Sequence, residues 1–318
     1  MLHFKNLSPL FMSQETQEET PDVWMLNMRR GTFEEAWKHS DAVLKERAGK
    51  PCWHWPRHFQ YVWDGSSLQG KRVLVRCYHG LGDTIQFIRF APLIKAIAQE
   101  VIVWAQAPLI PLLETIPTID RLLPLHDGTP EVDYDVDVEV MELTHIFRTT
   151  LDTIPSQIPY LQLEPLPLPG DKGKLNVGLV WKPGDWNPHR SIPFDFLRPL
   201  AEVQGINLYI LQENAATAGW QEGFGIHPGE FSLYEYGRAI KGLDLLLTVD
   251  SMPAHLAGAL NVPVWTLLHA HADWRWMDDR EDSPWYPSMC LFRQETADDW
   301  AGVISRVMVE LEKLKKEA

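Results

Sequence analysis

Residues 243–260 read LDLLLTVDSMPAHLAGAL, in which an apolar run passes directly into a segment with helical character. The run up to Val249 is typical of a buried strand in a parallel sheet, and Pro253 is favoured at the first position of a following helix. Asp250 is therefore predicted to lie at the carboxyl edge of a sheet. Open α/β sheets bind ligands at this edge, and the N–H groups of a helix amino terminus suit phosphate or sugar hydroxyls.

A second strand-to-helix unit is predicted upstream, within residues 72–91. Its strand, RVLVRC, is followed by the turn YHGLGD and by a helix that begins at about Thr84. Gly80 and Gly82 would let the backbone take strained angles and approach a ligand closely, so these glycines and His79 form a predicted ligand loop. The loop lacks the full G-x-G-x-x-G spacing of a dinucleotide site.

The bulk composition restricts the class of protein. With 318 residues, 45% of them hydrophobic and 23% charged, the chain is long enough for two soluble domains. A net charge of −14 argues against sequence-independent binding of nucleic acid, which depends on clustered Lys and Arg. The three cysteines are widely spaced, so neither a disulfide framework nor a zinc site is indicated.

The cellular location is predicted from the lack of targeting patterns. No apolar run approaches the roughly 20 residues that span a bilayer, so no transmembrane segment is predicted. The first twenty positions do not resemble a secretory leader. We expect a cytoplasmic protein, free or held peripherally at the inner face of the membrane.

The order of apolar segments predicts three regions. Residues 1–64 are a polar tail followed by a helical hairpin. Residues 65–168 alternate strands and helices and are predicted to form a Rossmann-like domain. The run of prolines and glycines at 163–173 favours a linker, after which residues 169–318 restart the pattern.

The last predicted element is an amphipathic helix from about Asp298 to Lys315. It is expected to pack back toward the amino-terminal domain. Two Rossmann-like domains joined by a linker would leave a cleft between them, where ligands commonly bind.

Separated motifs follow one another from about residue 24 to the end of the chain. They are Gly80–Phe87, Val177–Trp181 with His189–Pro193, Asp250–Leu260, Pro263–Trp265, Asp273–Trp276 and Ser283–Pro287. In this order and spacing the chain resembles glycosyltransferase family 9, the heptosyltransferase-like GT-B enzymes. The resemblance is strongest to the bacterial branch usually attached to tetratricopeptide repeats. Because residues 1–64 leave no room for an array of repeats of about 34 residues, the repeat part is expected to be absent or vestigial.

The resemblance implies an α/β fold of two facing Rossmann-like domains. It implies that the carboxyl-terminal domain binds most of a nucleotide-sugar donor, and that the amino-terminal domain receives the acceptor. It also implies metal-independent transfer with inversion and no cofactor. Asp83 matches the family's catalytic base, which takes the acceptor hydroxyl proton. The alternative is that Asp83 only caps the helix that begins at Thr84.

The donor's diphosphate requires positive charge. Arg190, with Lys182 and His189 in the same loop, is predicted to clamp it because a guanidinium donates two parallel hydrogen bonds and stays charged. The alternative is a basic loop exposed to solvent.

The helix start after Asp250 supplies the remaining donor-binding residues. Asp250 is predicted to hold sugar hydroxyls, while the amides of Ser251, Met252 and Ala254 face the phosphates. His255 is either a further donor-binding residue or a hydrogen-bonded histidine of the core.

Residues 269–280 combine aromatic and charged side chains too densely for an ordinary connection. This loop either shapes the sugar or acceptor pocket or is an aromatic plug between the domains. A metal site at His269 and His271 is rejected because the sequence places no further ligand there.

The predicted function is therefore that of an inverting, metal-independent glycosyltransferase acting on a bacterial glycan, glycolipid or protein. Two alternatives remain: a non-catalytic scaffold that keeps the fold, and a sugar-nucleotide epimerase.

Overall fold

The computed structural model describes residues 22–184 and 187–317. They divide into two units, the first running up to Ile110 and including Pro117–Pro155, the second comprising Pro111–Ile116 and the chain from Ser156 onward. The predicted polar tail, residues 1–20, lies outside the described residues. Within the described part of the chain, no helix combines the length and the apolar character needed to cross a bilayer.

The first unit begins with the expected helical hairpin. Helices α1 (Val23–Arg30) and α2 (Phe33–Arg47) are separated by Gly31, whose φ of 74° lies in the left-handed region that favours glycine. The indole N–H of Trp37 in α2 donates to the carbonyl oxygen of Thr149 at 2.7 Å. The hairpin is thus fastened to the rest of the first unit.

Four parallel strands form the first sheet, in the order β3-β2-β1-β4. The strands are β1 (Arg72–Arg76), β2 (Glu100–Ala105), β3 (Arg121–Pro124) and β4 (Val136–Glu139). The helices that follow them in the chain are α3 (Leu81–Phe87), α4 (Ala91–Ile97), α5 (Ile110–Leu113) and α6 (Leu143–Ile146). Strand β4 was not predicted, because half of its four residues are acidic and it pairs only at the sheet edge, with β1.

Five parallel strands form the second sheet, in the order β6-β5-β7-β8-β9. They are β5 (Leu175–Val180), β6 (Ile206–Ile210), β7 (Leu245–Val249), β8 (Val264–Leu268) and β9 (Met289–Arg293). The helices of this unit are α7 (Leu233–Lys241), α8 (Met252–Ala259) and α9 (Trp300–Glu317). Helix α7 was not predicted. The segment Phe194–Glu202, which contains Pro199, forms a 3₁₀ helix.

The buried face of α9 belongs to the core of the second unit, where Val303, Val307 and Leu311 are fully buried. Its expected packing toward the amino-terminal domain stays a prediction.

The proline-rich run does not separate the two units. The N–H groups of Tyr160 and Leu161 donate to the carbonyl oxygen of Ala259, and that of Leu166 to the carbonyl oxygen of Arg238. These bonds attach the start of the run, and the residues just before it, to the second unit. The chain passes from the first unit to the second between Pro155 and Ser156, whereas the sequence placed the boundary at residue 168.

Candidate functional site

Polar side chains converge at the carboxyl edge of the second sheet. Asp250 directly follows β7, while Arg190 ends a short 3₁₀ segment after the neighbouring strand β5. Both side chains are buried. Nη1 of Arg190 donates to the backbone carbonyl oxygen of Asp250 at 2.8 Å and lies 4.0 Å from its carboxylate Oδ2. The predicted pair is thus brought together by adjacent parallel strands.

The surroundings of the Asp250 carboxyl group raise its pKa. Burial raises its pKa from 3.8 to about 6, because a low-dielectric site disfavours the charged form, and the nearby Asp273 carboxylate adds to the rise. The guanidinium groups of Arg190 and Arg275 partly offset this shift. A carboxyl group so placed can accept hydrogen bonds from sugar hydroxyls when it is ionised.

His269 follows β8 and is a further buried member of this edge. Burial lowers its pKa to about 4, and the nearby His189 and Arg190 contribute in the same direction. At neutral pH its imidazole is therefore neutral, with Nδ1 accepting from the N–H of His271 at 3.3 Å. The sequence placed His269 in the loop of residues 269–280 and rejected it as a metal ligand, but it did not predict its burial beside Arg190.

The loop after β5 is held by Gln212, which sequence reasoning missed. Its Oε1 accepts from the N–H groups of Trp181 and Lys182 at 3.1 and 2.8 Å, and its Nε2 donates back to the Lys182 carbonyl at 3.2 Å. Gln212 follows β6 closely, and β6 pairs with β5. The order of the strands could therefore have predicted that Gln212 lies near the loop after β5. Lys182 and His189 are exposed, as the alternative interpretation of this loop expected, whereas Arg190 is not.

The start of α8 differs in detail from the expectation. The helix begins at Met252, so Pro253 is its second residue. The Ala254 N–H, expected to face phosphates, donates to the carbonyl oxygen of Ser251 at 3.0 Å. The Ser251 hydroxyl donates to the Val249 carbonyl oxygen at 3.0 Å. The half-buried Ser251 and Met252 remain the candidates at this helix start.

His255 is fixed inside the second unit. Its Nδ1 lies 3.0 Å from the hydroxyl of Tyr286, and its ring stacks on Trp276 with centroids 5.3 Å apart. The side chain is buried. These contacts favour the interpretation of His255 as a hydrogen-bonded core histidine.

The loop at residues 269–280 packs its aromatic residues within the second unit and adds charge to the site. Trp274 and Trp276 are buried, and the indole N–H of Trp285 donates to the Arg275 carbonyl oxygen at 3.1 Å. The carboxylate of Asp273 accepts from the Arg275 backbone N–H and from its Nη1, at 3.0 and 2.8 Å. The sequence singled out this loop but did not predict that Asp273 and Arg275 influence the pKa of Asp250.

In the first unit, Asp83 occupies the first turn of α3 and caps it. Its Oδ2 accepts from the backbone N–H of Gly80 at 2.9 Å. Gly80 has a φ of −69°, and Gly82 lies inside α3. Neither glycine has a positive φ, so the prediction of strained backbone angles at this turn is wrong. A Cβ atom at Gly80 would instead lie 3.2 Å from Oδ2 of Asp83. The capping interpretation describes this contact, and the role of Asp83 as a base stays a prediction.

A buried glutamate lies next to this turn. Glu139 ends β4, which pairs with β1, and its Oε1 is 3.8 Å from Nε2 of His79. The His79 carbonyl oxygen accepts from Nε2 of Gln106 at 2.7 Å, and Oε1 of Gln106 accepts from the Thr84 hydroxyl at 3.0 Å. Glu139 was missed because strand β4 was missed.

Possible metal ligands are not clustered in the part of the chain that the structure describes. Across 22–184 and 187–317, no group of three or more His, Cys, Asp or Glu side chains is arranged to hold a metal ion.

A family of known proteins is similar to part of the second unit. Residues 212–298 match the model of glycosyltransferase family 9 (heptosyltransferase). This segment contains Gln212, Asp250, His269 and Arg275, so the match encloses most of the polar edge of the second unit.

A curated relative and several solved structures are also similar. The protein FlbA of Caulobacter vibrioides is 25% identical over 287 residues, covering 78% of this chain and 48% of FlbA. This chain therefore spans about half the length of that relative. A family 9 glycosyltransferase from Veillonella parvula superimposes with a TM-score of 0.55 at 16% identity, over 80% of this chain and 99% of that one.

Two heptosyltransferases of Escherichia coli share the fold. ADP-heptose lipopolysaccharide heptosyltransferase II has a TM-score of 0.53 at 16% identity, over 78% of this chain and all of its own. The heptosyltransferase WaaC, solved with ADP-2-deoxy-2-fluoro heptose, has a TM-score of 0.51 at 14% identity, over 76% and 99%.

Two parallel α/β sheets in two Rossmann-like domains define the GT-B class of fold, which confirms the predicted fold class. Within that class, the resemblance of this chain to glycosyltransferase family 9 is confirmed by the family model and by the fold of the heptosyltransferases. The attachment to tetratricopeptide repeats stays a prediction.

Proposed function

We propose that this chain is a glycosyltransferase that moves a sugar from a nucleotide-diphosphate donor to a hydroxyl group of a bacterial glycan, glycolipid or protein. The observation that carries the proposal is the buried guanidinium of Arg190, anchored on Asp250 at the carboxyl edge of the second sheet. The family 9 match over residues 212–298 supports it. The proposed location is the cytoplasm, free or against the inner face of the membrane.

The donor is proposed to bind at this edge. Its diphosphate would meet Arg190, which stays charged at all relevant pH values and donates in a fixed fork that matches phosphate oxygens. Lys182 and His189, exposed on the same loop, would add positive charge and hydrogen bonds. The ionised Asp250 carboxylate would accept hydrogen bonds from sugar hydroxyls. The neutral imidazole of His269 could donate one hydrogen bond and accept another.

The proposed reaction is a single displacement. The acceptor oxygen forms a bond to the anomeric carbon as the bond from that carbon to the diphosphate oxygen breaks. The acceptor proton passes to the Asp83 carboxylate, and the electron pair of the broken bond leaves with the diphosphate. Attack from the side opposite the leaving group inverts the anomeric centre. Cationic side chains stabilise the departing charge in this scheme, so it requires neither a metal ion nor a cofactor.

Calorimetric titration with ADP, UDP and GDP tests donor binding. We expect one nucleoside diphosphate to bind, and Arg190→Met to weaken its affinity by about 10- to 100-fold, the loss typical of a hydrogen bond to a charged group. Arg198→Met is the matched control, because Arg198 is exposed and pairs only with Asp195 three residues away in the part of the chain described. Failure of all three nucleotides to bind would contradict the proposal and favour the scaffold alternative.

A further inference from the structure

Glu139 is a buried glutamate, and one of its carboxyl oxygens accepts no hydrogen bond from the described residues. Its side chain is 4% exposed. Oε2 accepts from the Met141 N–H at 2.7 Å, whereas Oε1 makes no hydrogen bond to any described residue and faces Nε2 of His79 at 3.8 Å. Buried polar atoms are rarely left in this state unless they have a function or a partner that is near at hand.

The surroundings of Glu139 favour its neutral form. Desolvation by burial raises its pKa well above the ordinary value, and the carboxyl groups of Glu142 and Asp83 act in the same direction. The thiol of Cys77 is a further neighbour, and it is itself buried. The guanidinium of Arg47 pairs with the other buried glutamate, Glu142, at 3.2 Å.

We propose that Glu139 is a positioning residue that donates a hydrogen bond from its Oε1–H to Nε2 of His79 and so orients the imidazole beside the turn capped by Asp83. A small side-chain rotation closes the 3.8 Å separation to a hydrogen-bond distance of about 2.8 Å. An imidazole that accepts at Nε2 carries its proton at Nδ1, so this contact selects one tautomer. The effect on turnover rests on the proposed glycosyltransferase function, whereas the tautomer does not.

The first test is ¹⁵N NMR of histidine-labelled protein without substrate, with the His79 signals assigned through His79→Gln. We expect the Nδ1–H tautomer at neutral pH. Glu139→Gln should keep it, because the amide group can still accept from Met141 and donate to His79. Glu139→Ala should give mixed tautomers. Glu100→Gln, which changes a carboxyl group at the amino end of β2, at the opposite edge of the sheet from His79, is the control and should leave the His79 signals unchanged.

Two results overturn the proposal. One is an unchanged His79 tautomer in a folded Glu139→Ala variant. The other is a Glu139→Gln variant as altered as Glu139→Ala, which would mean that an ionised carboxylate is required. If Glu139→Ala fails to fold, infrared spectroscopy of the wild type decides. The carbonyl band of a protonated carboxylic acid should be present at neutral pH and lost in Glu139→Gln, and its absence from the wild type refutes the proposal.

Turnover provides the second readout. Glu139→Ala should lower kcat by about 10- to 100-fold with little change in the donor KM, the loss expected when a group beside the reacting atoms is misplaced. Glu139→Gln should restore most of the rate. If no glycosyl transfer is detected in the wild type, the proposed function is wrong. The NMR result does not depend on turnover, so it still tests the role of Glu139.

Discussion

The guanidinium of Arg190 is bonded to the backbone carbonyl oxygen of Asp250, sixty residues later in the chain, at 2.8 Å. One bond thus joins the loop after β5 to the end of β7 and fixes a buried positive charge at the sheet edge. It holds the loop in place as well as presenting the charge, so its removal should affect stability even without a ligand.

Arg190→Met should lower the free energy of unfolding by about 2 kcal/mol, because a buried hydrogen bond to a charged group is lost. Arg198→Met should change it by less than about 0.5 kcal/mol, since an exposed ion pair contributes little. Urea unfolding of both variants measures the difference. Equal stabilities of the two variants would show that the Arg190 contact does not hold the loop.

Asp250 should make stability depend on pH. Its folded pKa of about 6 lies above the usual 3.8, so the folded state binds more protons than the unfolded state between these values. Stability relative to Asp250→Asn should therefore fall as pH rises from about 4 to about 6, by up to about 3 kcal/mol, and level off above that range. Unfolding both proteins at a series of pH values measures this difference. A difference that does not vary with pH would refute the raised pKa.

Asp83→Asn should separate the two roles considered for Asp83. The amide oxygen can still accept from the Gly80 N–H, so stability should change by less than about 0.5 kcal/mol. An amide cannot act as a base, so transfer should fall by about 10²- to 10⁴-fold. Thermal melting and a donor-turnover assay measure the two effects. Full activity in this variant would leave Asp83 with only its capping role.

Gly258→Ala should destabilise the second unit. A Cβ atom at this position in α8 would lie 2.2 Å from Cδ1 of the buried Tyr286. Overpacking of this kind typically costs about 1–3 kcal/mol. Gly184→Ala is the control because, apart from its chain neighbours, no described residue lies within 4 Å of the Cβ atom it would add. Thermal unfolding compares them, and an equally small effect of both changes would mean that α8 moves away from Tyr286 freely.

Tyr286→Phe tests whether His255 is structural. The change removes the hydroxyl that lies 3.0 Å from Nδ1 of His255 and should cost about 1 kcal/mol of stability. Nucleoside diphosphate affinity should be unchanged, because the contact lies among core rings and not at the exposed loop. A marked loss of affinity in a stable variant would instead place His255 in the donor site.

Most strands could be predicted because their residues are apolar on both faces. All five residues of β7 are buried, and a short apolar run of this kind is typical of a strand inside a parallel sheet. Strand β4 was not predicted because two of its four residues, Asp137 and Glu139, are acidic, so it does not read as an apolar run. Its place at the edge of the sheet tolerates these residues. Helix α7 escaped because the sequence interpretation passed over residues 233–241, although Ser232 and Glu235 form a capping box there.

The sequence by itself determined that Asp83, Arg190 and Asp250 lie in segments that follow strands, because apolar runs and turn residues are local properties of the chain. Only the tertiary structure decided that Arg190 is buried on the Asp250 carbonyl, that His269 is a neutral neighbour, and that Glu139 faces His79. Parallel pairing joins strand ends that are distant in sequence, and burial among charges then sets each pKa. Neither effect exists until the sheets have formed.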